Sequence, residues 1–187
     1  KHKATWLGVK VTENGTRTCL LNLEKVKYDI ETWLREFVNK PQEVLNGLPP
    51  CPYALNAWTN NKVKVQISTK AKLVKDIRLV KQKWDPAYDV VILVISPTGI
   101  STEDLHALTA IANDTVLVPN GFVALEDHPD TTEAIGDLKF NMGKYALVLI
   151  QESKKLHTAS EDLKKIGYYE NWSEEYLDDV VNWRPHD

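Results

Sequence analysis

The segment from Lys62 to Ile95 limits the fold more than any other stretch of the chain. Val63, Val65 and Ile67 alternate with Lys62, Lys64 and Gln66, the period-two pattern of a strand with one face buried, as at the edge of a sheet. A basic run from Lys70 to Lys83 follows. It carries Leu73, Ile77, Val80 and Trp84 at spacings of four, three and four, the apolar stripe of a helix whose lysines face water. Tyr88 to Ile95 is then almost continuously apolar, as a central strand covered on both faces must be. Strand, helix and strand in this order predict parallel neighbours joined by a right-handed crossover. The expected fold is therefore α/β or α+β: a mixed sheet with a βαβ unit and helices packed on it, ferredoxin-like or thioredoxin-like.

The flanking sequence fits around that unit. Ala4 to Val11 and Arg17 to Leu23 are β-leaning runs separated by Asn14-Gly15, the strongest short hairpin signal, so residues 1–25 are expected to form an N-terminal hairpin beside a 26–187 core. From Asp29, the residues Ile30, Trp33, Leu34, Phe37 and Val38 mark an amphipathic helix ending before Pro41. Pro49-Pro50 breaks the chain. Pro52 then suits the first turn of a helix running through Trp58, with Cys51 as its N-cap. Ser101 caps a helix carrying Leu105, Leu108 and Ile111, and Thr115 to Val118 and Phe122 to Leu125 read as short strands. Tyr145 to Ile150 is a second buried strand, Leu156 to Ile166 a helix stopped by Gly167, and Ser173 caps a last helix ending near Trp183. Glu126 to Lys144 is the least regular segment, and long loops of this kind often carry function.

A chain of 187 residues with 43% hydrophobic content can bury one sizeable core, and no repeat or linker divides it, so a single domain over 1–187 is expected. The net charge of -3 gives no electrostatic reason to expect nucleic acid or an anionic membrane. Two cysteines, Cys19 and Cys51, are too few for a disulfide framework, which points to a reducing, cytoplasmic setting. The longest apolar runs are strand length, far short of the roughly 20 residues that span a bilayer. The N-terminus has no signal-like apolar stretch, and a start at Lys1 rather than Met is what a trimmed or processed chain would show. Asn-x-Ser/Thr triplets at Asn14, Asn113 and Asn171 would matter only in a secreted protein.

Three groups of residues could carry chemistry. A thiol at a helix N-terminus feels the positive end of the helix dipole, which would favour the thiolate at Cys51. Against this stands a small apolar cysteine packed under a helix. Glu126 and His128 share one face of a strand end and could act as acid and base or as two ligands of a metal, a set that needs at least one more ligand. A polar strand end with a solvated histidine is the plainer alternative. Lastly Tyr168, Tyr169, Trp172, Tyr176 and Trp183 crowd an acidic C-terminal segment. Tyr176, Val180 and Trp183 lie on one helical face, suited either to a latch on the chain's own core or to a protein partner or homo-oligomer. Gly-rich dinucleotide and phosphate loops, a nucleophile elbow and zinc-type Cys/His spacings do not occur.

Cys51-Pro52-Tyr53 locally resembles the glutaredoxin active-site motif. Ala54 stands where that family has its second cysteine, so a dithiol mechanism does not transfer. From Trp33 to Trp183 the chain also resembles an uncharacterised bacterial and phage family. The resemblance lies in the Trp33-Leu34 helix, the Cys51-Pro52-Tyr53-Ala54 turn, the Val90 to Ile95 strand and the His128-Pro129 pair. It implies one domain of these bounds and directs attention to the Cys-Pro-aromatic-Ala turn and the His-Pro pair, without naming an activity. The sequence thus leaves three readings. One is a small intracellular enzyme or redox-linked protein using Cys51, with Glu126 and His128. Another is a non-catalytic binding or regulatory module using Tyr169, Trp172, Tyr176 and Trp183. The third is a metal site at Glu126 and His128.

Overall fold

The computed structural model describes residues 9–11, 17–19, 21–132 and 134–184. Strands β1 (Val9–Val11) and β2 (Arg17–Cys19) pair antiparallel, with Val9 opposite Cys19 and Val11 opposite Arg17. These are the arms of the expected hairpin, whose Asn14-Gly15 turn lies outside the described residues. Helix α1 (Leu23–Trp33) starts earlier than the apolar stripe suggests, because the Asn22 side chain caps it by accepting the Lys25 amide at 3.0 Å. Helix α2 (Ala54–Thr59) leads into β3 (Val63–Ile67), α3 (Leu73–Gln82) and β4 (Val90–Ile95). Then come α4 (Thr102–Ala112), β5 (Phe122–Asp127), a small hairpin of β6 (Ala134–Ile135) and β7 (Leu138–Lys139), β8 (Ala146–Glu152), α5 (Ser153–Lys165) and α6 (Glu174–Leu177).

The main sheet has the order β3-β4-β8-β5. β3 and β4 are parallel and directly hydrogen-bonded, Val63 opposite Val90, as the βαβ reading requires. β8 runs antiparallel to both its neighbours, β4 and β5, which makes the sheet mixed. Alternation along the two central strands divides the core. Val91, Leu93 and Ile95 of β4 join Ala146, Val148 and Ile150 of β8 beneath α3 and α4, while Ile92, Val94 and Leu147 face α1. A helical layer on each side therefore buries a central strand pair that has no polar face.

One expected strand is absent. Thr115 to Val118 is helical: α4 widens into a π turn at Asn113–Leu117 and a 3-10 turn at Val118–Asn120. The β-branched residues do not force extension, since the Thr115 hydroxyl donates to the Ile111 carbonyl at 2.7 Å and the buried Asn113 is tied to β5. Ile111, expected on the inner face, is 51% exposed, and Thr109 and Ala112 are buried instead.

A third, smaller core holds the C-terminal segment. Leu45, Ile135, Leu163 and Tyr168 are buried there, with Tyr169, Trp172, Tyr176 and Phe140 packed around them. The Tyr168 hydroxyl donates to the Pro50 carbonyl. Asn46 donates to the Gly167 carbonyl at 2.7 Å, and Asn171 to the Val44 carbonyl at 2.9 Å. The turn at 42–48 and the segment after α5 thus hold each other. Gly167 allows the join: its φ is +80°, and a Cβ would stand 2.8 Å from a Glu170 carboxylate oxygen.

Candidate functional site

A cavity of about 690 Å³ opens where β5 forms the edge of the sheet. The strand contributes Leu125, Glu126 and Asp127, and α4 contributes Leu105, His106 and Ala110. Aromatic side chains come from three other places: Trp33 at the end of α1, Phe140 after β7, and Tyr176 with Trp183 in the C-terminal segment. Val180 also lines it, so the face of Tyr176, Val180 and Trp183 seen in the sequence is turned toward this cavity. Trp183 remains 41% exposed.

Three helix ends share a feature here. π turns occupy Leu34–Val38 after α1, Asn113–Leu117 after α4 and Asp178–Asn182 after α6. Trp33 immediately precedes the first, Asn113 and Asp114 open the second, and Asp178, Asp179 and Val180 open the third; all of them line the cavity. A π turn holds one residue more than an α turn and re-aims the side chains around it, and such turns recur at functional sites.

Glu126 pairs with His106 Nδ1 at 2.7 Å. Burial pushes the Glu126 carboxyl above its ordinary value, and His106 partly offsets the shift. No motif or spacing joins His106 to Glu126, which lies twenty residues away on another element.

His128 lies deeper, with only 2% of its side chain exposed. Its Nδ1 accepts the Asp130 amide at 3.1 Å and lies 3.3 Å from the Thr102 hydroxyl, and its Nε2 lies 3.2 Å from the Ile100 carbonyl. This set of partners assigns the hydrogen to Nε2, where it donates to Ile100, and leaves Nδ1 as acceptor. Both ring nitrogens are therefore spent in tying β5 to the start of α4. The solvated histidine expected from the sequence is instead a buried one. Glu126 and His128 line one cavity without touching in any hydrogen bond, and among the described residues no group of three or more His, Cys, Asp or Glu side chains is arranged to hold a metal ion.

Cys51 lies elsewhere and lines neither this cavity nor a second one beside α5. Its N–H donates to the Val38 carbonyl at 3.2 Å, and it packs at the margin of the core beneath α1. Tyr53, not Cys51, occupies the N-cap of α2. Burial pushes the thiol above its ordinary value; the Tyr53 and Ala54 amides hydrogen-bond the sulfur and pull the other way without reversing the shift. The structure brings Cys51 near Tyr168 and Tyr169, whose titration it influences, rather than into the cavity of His128.

Sequence reasoning missed Asn113, visible only as a glycosylation triplet. Its amide is buried against Ala124 of β5. Trp33 and Phe140 were also missed: the first reads as one more position of an apolar stripe, the second as an isolated ring in an irregular loop. Comparison with family models, with curated proteins and with solved structures finds no match for the chain, and its site is defined by its own geometry.

Proposed function

We propose that the chain is a non-catalytic binding module whose C-terminal aromatic segment walls a cavity for a small organic cation. One observation carries this reading. Aromatic side chains from three parts of the chain meet a lining that holds Asp114, Glu126, Asp127, Asp178 and Asp179 and, among the described residues, no lysine or arginine. In a chain with 23 basic and 26 acidic residues, that local imbalance sets the sign of the potential a ligand meets. An alkylammonium group is attracted to the face of a Trp or Tyr ring within about 6 Å, and nearby carboxylates add to the attraction. The cavity volume falls within the usual range for small-molecule sites, roughly 300 to 1,000 Å³.

An enzyme finds less support. The Cys51 thiol is held toward its protonated form, and the His128 nitrogens are already engaged. The Glu126–His106 pair is the arrangement that would favour acid-base chemistry, and it belongs to the same cavity.

The test is a titration with tetramethylammonium and choline followed by tryptophan fluorescence, against sodium at equal ionic strength. A saturable change is expected, weakened about tenfold in Trp183→Ala, equivalent to roughly 1.4 kcal/mol and within the range of a desolvated cation–π contact. No saturable response, or an undiminished one in Trp183→Ala and in Asp179→Asn, would overturn the proposal.

A further inference from the structure

The net charge of -3 conceals a divided molecule. Residues 62–83, which span β3 and α3, hold eight basic residues and one acidic, while the other 165 hold 15 and 25. Buried Leu73, Ile77 and Val80 hold α3 on the core, which turns its opposite face to water. Lys72, Lys75, Leu79 and Lys83 follow one another on that face at spacings of three, four and four, with Arg78 beside them. All five are exposed, Leu79 at 38%. The nearby carboxylates are engaged at the margins of this face. Asp76 accepts the Ser68 hydroxyl at 2.7 Å and Asp85 the Ala87 amide at 2.9 Å. Asp104 of α4 pairs with Lys70, and Asp89 pairs with Lys62 at 3.6 Å.

This placement works against the free helix. Lys70, Lys72 and Lys75 crowd its N-terminus, where the peptide dipoles already present positive charge. Lys72 stands at the N-cap, although an ammonium has no acceptor to offer the first amides. Lys72, Lys75, Arg78 and Lys81 also repel one another in successive steps of three residues. Local rules broken together in this way mark a surface kept for something other than stability. We propose that the outward face of α3 docks an acidic, amphipathic segment of a partner protein. Its carboxylates meet Lys72, Lys75, Arg78 and Lys83, and an apolar side chain between them meets Leu79. Three features favour a protein segment over a nucleic acid or an anionic membrane. The exposed Leu79 amid the lysines offers an apolar contact that a phosphate backbone does not use. The face is short, about 15 Å along the ten residues of α3, and the acidic remainder of the chain repels a polyanion that reaches past it. Lysine outnumbers arginine seven to one within 62–83, whereas phosphate recognition favours arginine. None of these residues lines the aromatic cavity or the second cavity beside α5, so the surface is separate from both.

The test titrates the whole chain into a short fluorescein-labelled peptide of Glu, Ala and Leu, its leucines spaced for one helical face, and follows anisotropy at low and physiological ionic strength. Saturable binding is expected, weaker at the higher salt because the contacts are exposed ion pairs. Lys72→Gln, Lys75→Gln and Lys83→Gln combined should weaken it about tenfold. Leu79→Gln, which keeps every charge, should weaken it about threefold. The triple variant should melt at or slightly above the temperature of the original, since the lost charges opposed one another and the helix dipole. Lysines with a purely structural role would instead lower the melting temperature when removed. A short DNA duplex and vesicles containing phosphatidylserine, measured alongside, should bind more weakly than the peptide. No saturable binding, peptide binding undiminished in these variants, or tighter binding of the duplex or the vesicles would overturn the proposal.

Discussion

The side chain of Asn113 pairs with the backbone of Ala124 as a neighbouring strand would, donating to its carbonyl at 2.9 Å and accepting its N–H at 2.8 Å. Ala124 lies on β5, the outer strand of the sheet, so this amide occupies hydrogen-bonding groups that would otherwise be open to another chain. Asn113→Ala leaves a buried donor and acceptor unmet and should cost about 2–4 kcal/mol. Urea denaturation would measure the loss. Size-exclusion chromatography would show concentration-dependent association through the uncovered edge, which the original chain should lack.

Asp29 joins α1 to the start of β8 through the Lys25 ammonium at 2.9 Å, the Lys144 ammonium at 3.1 Å and the Tyr145 hydroxyl at 2.7 Å. Burial alone would raise its pKa, but these three donors outweigh it and hold the carboxyl at about 2, below the ordinary 3.8. A depressed folded-state pKa gives stability that is fully present above pH 3.8 and is lost as the pH falls toward 2. Both lysines are more than half exposed, so solvent screening limits the contribution to about 1–2 kcal/mol. Acid titration of stability should show this loss in the original chain, and Asp29→Asn should flatten the curve between pH 4 and 2.

Burial at Cys51 outweighs the two amides that face its sulfur, so its alkylation should be slow in the folded state and reach its midpoint above the ordinary thiol value of 9.0. Iodoacetamide modification across pH, with the urea-unfolded chain as reference, measures this. A midpoint below the reference would restore the reading of Cys51 as an activated nucleophile.

His128 should carry its hydrogen on Nε2, because Nδ1 accepts the Asp130 amide. Long-range proton–nitrogen correlation spectra distinguish the two tautomers. His128→Ala should cost about 2–4 kcal/mol by opening a buried space and leaving the Ile100 carbonyl and the Asp130 amide unpaired.

Much of the architecture was legible because it follows from periodicity. The alternation at Val63 to Ile67 and the unbroken apolar run at Val90 to Ile95 gave the parallel pair, and Ser101 and Ser173 gave two helix starts, each accepting an amide three residues on. The neighbour of β4 was not legible, since β8 arrives from more than fifty residues away and only its burial on both faces hints at a central place. The cavity was half legible. The spacing of Tyr176, Val180 and Trp183 gave one wall, but the other walls depend on which helices widen at their ends, and a single extra residue in a turn leaves no trace in composition. Cys51 misled for a related reason. Its position before a helix was visible, but the burial that governs its thiol comes from elements distant in the sequence.

The widened helix ends have a consequence for how this protein could change. An α-helix advances by about 100° per residue, so losing one residue from Asn113–Leu117 or Asp178–Asn182 would rotate everything after it by that angle. In the last segment such a deletion would turn Trp183 away from the aromatic cavity and Arg184 away from the other. A single codon there would reshape both cavities together, leaving the sheet beneath them as it was.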